Sequence, residues 1–271
     1  MILDSRAIGV FDSGLGGLTT VKKLSEYMPG EDIIYLGDTG RVPYGSRGKE
    51  TIIRYAGQDA AFLAGFDIKA MVIACNTVCS VAYDTLASTY DIPVYEVVSA
   101  PAKTAVSATK NGKIGIIGTA ATIRSRAYEI AINKEAPQMK IISEPCPLFV
   151  PLVEAGRTDA TDIAALTIAK DYLKPLQDEN IDTLILGCTH YPLLADVISK
   201  VIGDGVTLID SGVETAKMVA RDLGMLDKIS SNKLKGTIKY FVTDSIDGFS
   251  MLASKILESE VSGMVEQVTI E

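Results

Sequence analysis

The chain has 271 residues, 47% of them hydrophobic, which is enough for two ordinary α/β lobes with a core in each and too apolar for a disordered polymer. A formal net charge of −8 opposes nonspecific binding to nucleic acid, which needs a basic footprint, so small molecules or other proteins are the expected partners. No apolar run approaches the roughly 18 residues that cross a bilayer. Asp4 and Arg6 also stand where a secretory leader places its apolar stretch, so a cytoplasmic protein without a membrane partner is expected.

In chain order, strands are expected at AIGVFD (7–12), DIIYLGD (32–38), KAMVIA (69–74) and IPVYEVV (92–98), with helical patterns such as GLTTVKKLSEYM and KETIIRYAGQDAAFLAGF between them. The rhythm resumes at KIGIIG (113–118), MKIIS (139–143), DTLILG (182–187), VTLID (206–210) and TIKYFVTD (237–244). Strands rich in Val and Ile that alternate with long helices indicate parallel sheets covered on both faces.

Two strand-turn pairs recur at similar separations. IGVFDS begins at residue 8 and IGIIGT at 114, while Cys75 and Cys188 each close an apolar strand. A duplicated half is the simplest account: an α/β fold of two similar lobes, each a mainly parallel sheet flanked by helices, related by a pseudo-two-fold with the active site in the cleft between them. VSAPAK (98–103) reads as the crossing and LIDSG (208–212) as the return. The expected first lobe is therefore discontinuous, 1–97 plus 210–271, and the second is 98–209.

Ligands of parallel sheets bind beyond the carboxyl ends of the strands, where helix N-termini present free N–H groups. The polar clusters fall there: FDSGLGG (11–17), GDTGRVPYG (37–45), ACNT (74–77), GTAAT (118–122) and GCTH (187–190). Ser13, Asn76, Thr77, Thr119 and Thr189 would each sit near a helix start, and a purely structural role as N-caps, worth about 1 kcal/mol each, is the competing reading. Gly14, Gly16 and Gly17 miss the spacing of a dinucleotide loop and are read as letting the backbone turn tightly against a small ligand.

The four cysteines make neither a disulfide framework nor the paired spacing of structural zinc, and one histidine completes no ligand set, so no metal site is expected. Cys146 reads as a small buried hydrophobe, and Cys79 lies one helical turn past Cys75. Cys75 and Cys188 differ, because each follows a strand and precedes a helix, where N–H dipoles favour thiolate. That effect is about 0.3–1 kcal/mol, against about 1.36 kcal/mol per pKa unit, so each sulfur needs a neighbouring proton acceptor. Asp12, ending a strand that could neighbour the one before Cys75, and His190, two residues past Cys188, are the candidates. If the lobes face each other, the two thiols confront one another across a cleft; one removes a proton while the other supplies one from the opposite side, and a stereocentre inverts.

At these residues the sequence resembles the glutamate racemases, the cofactor-independent two-thiol family. The matching stretches are GVFDSGLGGLT (9–19), YLGDTGRVPYG (35–45), VIACNT (72–77), PLFVPLVEAG (147–156), ILGCTHYPLL (185–194) and IDSG (209–212), in family order over most of the chain. The resemblance implies interconversion of L- and D-glutamate without a cofactor, the D form supplying peptidoglycan synthesis. It implies that Cys75 is the base toward the D enantiomer and Cys188 toward the L, assisted by Asp12 and His190 respectively. Glu154 and Asp38 stand at matching acidic positions and are carried over as catalytic candidates. The substrate contacts carried over are Asp12, Ser13, Pro43, Tyr44, Gly45, Asn76, Thr77, Thr119, Thr189 and His190. The family often forms homodimers, although the sequence leaves the oligomeric state open. One departure is Val78-Cys79, where the family has smaller residues. An aspartate-specific relative, a binding protein with packed thiols, and a hydrolase using one cysteine with His190 remain alternatives at this level.

Overall fold

The computed structural model describes residues 4–226, 228–230, 235–261 and 263–270. The expected first lobe therefore includes a few positions, among them 1–3 and 271, outside the described residues. Among the described residues ten strands run in chain order: β1 (Ala7–Asp12), β2 (Ile33–Gly37), β3 (Ile68–Ile73), β4 (Val94–Glu96), β5 (Lys113–Gly118), β6 (Lys140–Pro145), β7 (Thr183–Gly187), β8 (Thr207–Asp210), β9 (Ile238–Val242) and β10 (Val265–Gln267). They form a six-stranded sheet of order β10-β9-β2-β1-β3-β4 and a four-stranded sheet of order β6-β5-β7-β8. Every pairing is parallel, as continuous apolar strands covered by helices require.

The order β2-β1-β3-β4 recurs as β6-β5-β7-β8, four strands later in the chain. The expected duplication is thus visible in topology, with β1 matching β5 and β3 matching β7. Side chains alternate across each sheet. Phe11, Leu36 and Ile73 of the larger sheet share one buried cluster with Ile114, Ile116 and Ile185 of the smaller. Their strand neighbours turn the other way: Val10 and Val72 pack with Leu24 and Val219, while Ile117, Leu184 and Leu186 pack with Leu173 and Val197. The two sheets therefore have their outer faces covered separately and their inner faces joined by one core.

Some boundaries move from the sequence expectation. The strand expected at 139–143 runs on to Pro145, and its residues are mostly half-buried at the sheet edge, where proline is tolerated. β10 was not expected, because Val-Glu-Gln is too short and polar to give an apolar run. In β3 the fully buried Lys69 is neutralised by Glu31 at 2.5 Å and donates to the Asp4 carbonyl at 2.8 Å, so a charge sits inside an otherwise apolar strand. Among the described residues no helix is long and apolar enough to cross a membrane.

Candidate active site

A cavity of about 440 Å³ opens where the carboxyl ends of both sheets meet. Its walls come from equivalent loops of the two halves. Ser13 and Gly14 follow β1, 42–46 follow β2, and Cys75-Asn76-Thr77 follow β3; Thr119, Ala120 and Arg124 follow β5, Pro147 to Glu154 follow β6, and Cys188-Thr189-His190 follow β7. Cys75 and Cys188, which lie far apart in sequence, thus line one space from matching strand ends. Both are free thiols and both are buried.

The N-cap alternative accounts for only one of the five polar residues. Thr119 caps the helix Ala120–Ser125, its hydroxyl accepting from the Thr122 backbone N–H. The helix Asn76–Thr89 begins instead at Cys75 and has no side-chain cap, leaving Asn76 and Thr77 in its first turn facing the cavity. The Thr77 and Thr119 hydroxyls meet at 2.9 Å, joining the two halves across the cavity wall. Asn76 is held in place by Tyr128, whose hydroxyl donates to the amide oxygen at 2.5 Å. These groups are fixed before any ligand arrives, and their remaining donors and acceptors can serve one.

Around Cys75 the environment favours the protonated sulfur. Burial pushes its pKa up to about 12, and the charge of Asp12 adds to the rise. The Ser13 hydroxyl, 3.3 Å from the sulfur, acts against it, because it can turn to donate to the thiolate form. Asp12 itself is fully buried and does not line the cavity; one oxygen accepts from the Gly14 N–H at 3.0 Å and the other has no hydrogen-bond partner among the described residues. Burial raises the Asp12 carboxyl, with the His190 charge opposing. Asp12 is therefore not a direct wall of the substrate space, although its charge is felt at Cys75.

On the other side the charge is positive. Burial alone would lower the His190 imidazole, but Cys188 and Glu154 beside it raise it to about 10. Glu154 Oε1 lies 3.3 Å from His190 Nε2, close enough for charge attraction although outside hydrogen-bond geometry. Glu154 and His190 also line a second cavity of about 290 Å³ with Leu15, Leu193 and Lys255, so this pair forms the partition between the two spaces.

Two expectations change. Asp38 does not line the cavity: it is fully buried, one oxygen receiving Arg41 Nε at 2.6 Å and the Tyr44 hydroxyl, the other accepting from Thr243 at 2.8 Å. A carboxylate so occupied fixes the loop that carries Pro43, Tyr44 and Gly45. The glycines of the first turn also differ from expectation. Gly14 borders the cavity, but a Cβ on Gly16 would lie 2.2 Å from Thr189 Oγ1, and one on Gly17 would lie 2.5 Å from Asp12 Cβ. These two clear room for protein side chains, not for a ligand.

Sequence reasoning missed Asp59, Thr19 and Arg124. Asp59 takes the other arm of Arg41 at 2.7 Å. Thr19 donates to the Thr189 carbonyl at 3.0 Å, tying the start of the helix Leu18–Tyr27 to the loop after β7. Arg124 belongs to an expected cluster's helix, and only its position two residues past GTAAT hinted at the cavity.

Residues 16–219 match the family described as Asp/Glu/Hydantoin racemase. A glutamate racemase of Geobacter metallireducens is 46% identical over 266 residues, 98% of this chain and 97% of that one. Among solved structures, a glutamate racemase isoform of Bacillus anthracis superposes with a TM-score of 0.93 at 39% identity, covering 97% of both chains. The glutamate racemase of Francisella tularensis in complex with D-glutamate gives 0.91 at 40% identity, covering 98% of both. With the repeated strand order and paired thiols already in place, these likenesses over nearly the whole length establish that the chain belongs to the Asp/Glu/Hydantoin racemase family, alongside its glutamate racemases.

Proposed function

We propose that this protein interconverts L- and D-glutamate without a cofactor, by proton transfer between two thiols, as a cytoplasmic source of D-glutamate for peptidoglycan. The single observation that carries the reading is that Cys75 and Cys188, at the ends of equivalent strands, line one cavity. A substrate α-carbon held between them has one sulfur on each face. Cys188 as thiolate takes the α-proton of L-glutamate, and the thiol of Cys75 delivers its proton to the opposite face. The reverse reaction exchanges the two roles.

The charges suit that division. A protonated His190 supplies the positive charge that a thiolate at Cys188 needs, while Cys75, with its pKa raised to about 12, is poised as the acid. Asp12 receives the proton of Cys75 when the D enantiomer is to be attacked. The α-proton beside a carboxylate and an ammonium is very weakly acidic, so the developing carbanion requires donors already in position. Ser13, Asn76, Thr77, Thr119 and Thr189 line the space with hydroxyls and an amide.

The test is α-proton exchange in heavy water with each enantiomer of glutamate and of aspartate. Deuterium should enter glutamate from either enantiomer, with the opposite enantiomer accumulating. Absence of exchange with all four compounds would leave a binding protein, and a clear preference for aspartate would reassign the substrate.

A further inference from the structure

Tyr128 lies in the helix Ala127–Glu135, between β5 and β6, and is buried in the core that joins the two sheets. Its hydroxyl, with one proton to share, stands 2.5 Å from the Asn76 amide oxygen and 2.9 Å from the Val97 carbonyl. Asn76 directly follows Cys75, and Val97 lies on the connection from the larger sheet to the smaller. The Asn76 Nδ2 is in turn 3.5 Å from Ser211 Oγ, on the connection that returns to the larger sheet. The edge of the Tyr128 ring rests on Gly187, the residue before Cys188: a Cβ built on that glycine would stand 3.0 Å from Tyr128 Cε2. One side chain therefore touches the chain neighbour of each thiol.

The repeated topology gives this contact a counterpart. Thr19 lies between β1 and β2, the strands equivalent to β5 and β6, and its hydroxyl is 3.0 Å from the carbonyl of Thr189, directly past Cys188. Each half thus braces the loop that carries the other half's thiol. We propose that Tyr128 is a positioning residue for the reaction: it holds Asn76 beside Cys75 and, through Gly187, the strand end before Cys188, so that the two sulfurs keep one spacing across the substrate. This rests on the racemase reading of the same cavity. Removing a proton on one face and delivering one on the other needs both sulfurs aligned on a single α-carbon, and a shift of about 1 Å costs about 10²-fold in rate. A close-packed aromatic ring transmits position with little slack. Core packing alone would be met by phenylalanine; a buried hydroxyl is costly unless it is bonded, and here its partners are the Asn76 amide and the Val97 carbonyl.

The experiment uses the full-length protein with Tyr128→Phe, which keeps the ring, and Tyr128→Leu, which removes it, each alone and combined with Asn76→Ala. Racemisation is followed from both enantiomers of glutamate, below the melting temperature of each variant. Tyr128→Phe deprives Asn76 of its hydroxyl partner and should lower kcat/KM about 10-fold. Combined with Asn76→Ala, the same change should cost less than about 2-fold, because the group it positions is gone. A merely structural defect would cost as much in both backgrounds, and that result, or an unchanged kcat/KM, overturns the proposal. Tyr128→Leu also frees Gly187 and should lower kcat/KM about 100-fold, with the excess over Tyr128→Phe persisting beside Asn76→Ala. Equal activity of Tyr128→Leu and Tyr128→Phe would break the link to Cys188 and overturn the spacing role. Where Tyr128→Phe does not fold, the Asn76 side-chain amide of the unmodified protein decides: NMR relaxation should find it as rigid as the backbone without glutamate, and a freely rotating amide overturns the proposal. If the unmodified protein shows no α-proton exchange, the racemase reading fails on its own. The Asn76 amide is then compared between the unmodified protein and Tyr128→Phe, and equal rigidity rejects Tyr128 as its anchor.

Discussion

Gly16 lies flush against His190: a Cβ built on the glycine would stand 2.4 Å from the imidazole Nδ1 and 2.7 Å from Cε1. The turn after β1 therefore braces His190, two residues past Cys188, on the opposite half of the molecule. Thr19 reinforces the seam, its single hydroxyl proton shared between the Gly16 carbonyl at 2.8 Å and the Thr189 carbonyl at 3.0 Å.

Gly16→Ala should consequently act on the chemistry from outside the cavity. The methyl must displace Thr189 or His190, an overpacking that costs about 1–3 kcal/mol. A displacement near 1 Å at a reacting group lowers the rate by about 10²-fold. Gly57 is the control. It sits inside the helix Lys49–Ala64 with nothing within 4 Å of an added Cβ, so Gly57→Ala should stabilise by about 0.5–1 kcal/mol and leave kcat alone. Thermal denaturation and steady-state racemisation of the pair decide the matter. Equal activity in the two variants would show that the seam does not position His190.

That seam marks the limit of what was legible in the sequence. The strand ends were readable because a parallel α/β sheet concentrates polar residues beyond its carboxyl edge, and Cys75, Asn76, Thr77, Thr119, Cys188 and His190 all gather in one cavity. What a single dimension hides is which loop presses on which. Nothing in DSGLGG announces that Gly16 serves His190, and nothing in the Asp38 stretch announces that Arg41 and Tyr44 have already claimed its carboxylate. Asp59 was invisible for the same reason: it lies inside a helix whose apolar pattern gives no sign of a buried charge.

The loop carrying Tyr44 depends on that buried network. Arg41 bonds Asp38, Asp59 and Gln58, and the Tyr44 hydroxyl sits within hydrogen-bond reach of both carboxylates, with one proton to share between them. Burial, then the charge of Asp38, pushes the Asp59 carboxyl well above its ordinary value, while Arg41 opposes the rise. Arg41→Gln leaves two fully buried acids without their cation, a change that costs about 3–5 kcal/mol in comparable pairs. The expected result is a lower Tm together with a higher KM, since Pro43, Tyr44 and Gly45 line the cavity. An unaltered KM in the folded variant would show that the network supports the fold alone.

His190 is the only histidine in the chain, so its ring resonances need no assignment. An NMR titration should find it charged through neutrality and losing its proton near pH 10. The sign for stability follows. The folded value lies above the unfolded value of about 6.5, so the stabilisation is complete below that pH and disappears as pH rises toward 10. Glu154→Gln removes one of the groups holding the proton and should move the midpoint downward. A ring that titrates at its ordinary value in the unmodified protein would remove the positive charge that the proposed role of Cys188 requires.

The two cysteines permit the most direct test of asymmetry. Cys75→Ser and Cys188→Ser each replace a sulfur by an oxygen that ionises far less readily, so racemisation should fall by about 10²–10⁴-fold in both variants and from both enantiomers. The halves of the reaction should nevertheless separate. Cys75→Ser keeps the Cys188 thiol with His190, so L-glutamate should still exchange its α-proton for deuterium with retention, while D-glutamate should not. Cys188→Ser should show the mirror pattern, exchanging D-glutamate through Cys75 and Asp12. Exchange from both enantiomers in either variant would mean that a single group reaches both faces, and full racemisation in either would remove the paired-thiol mechanism altogether.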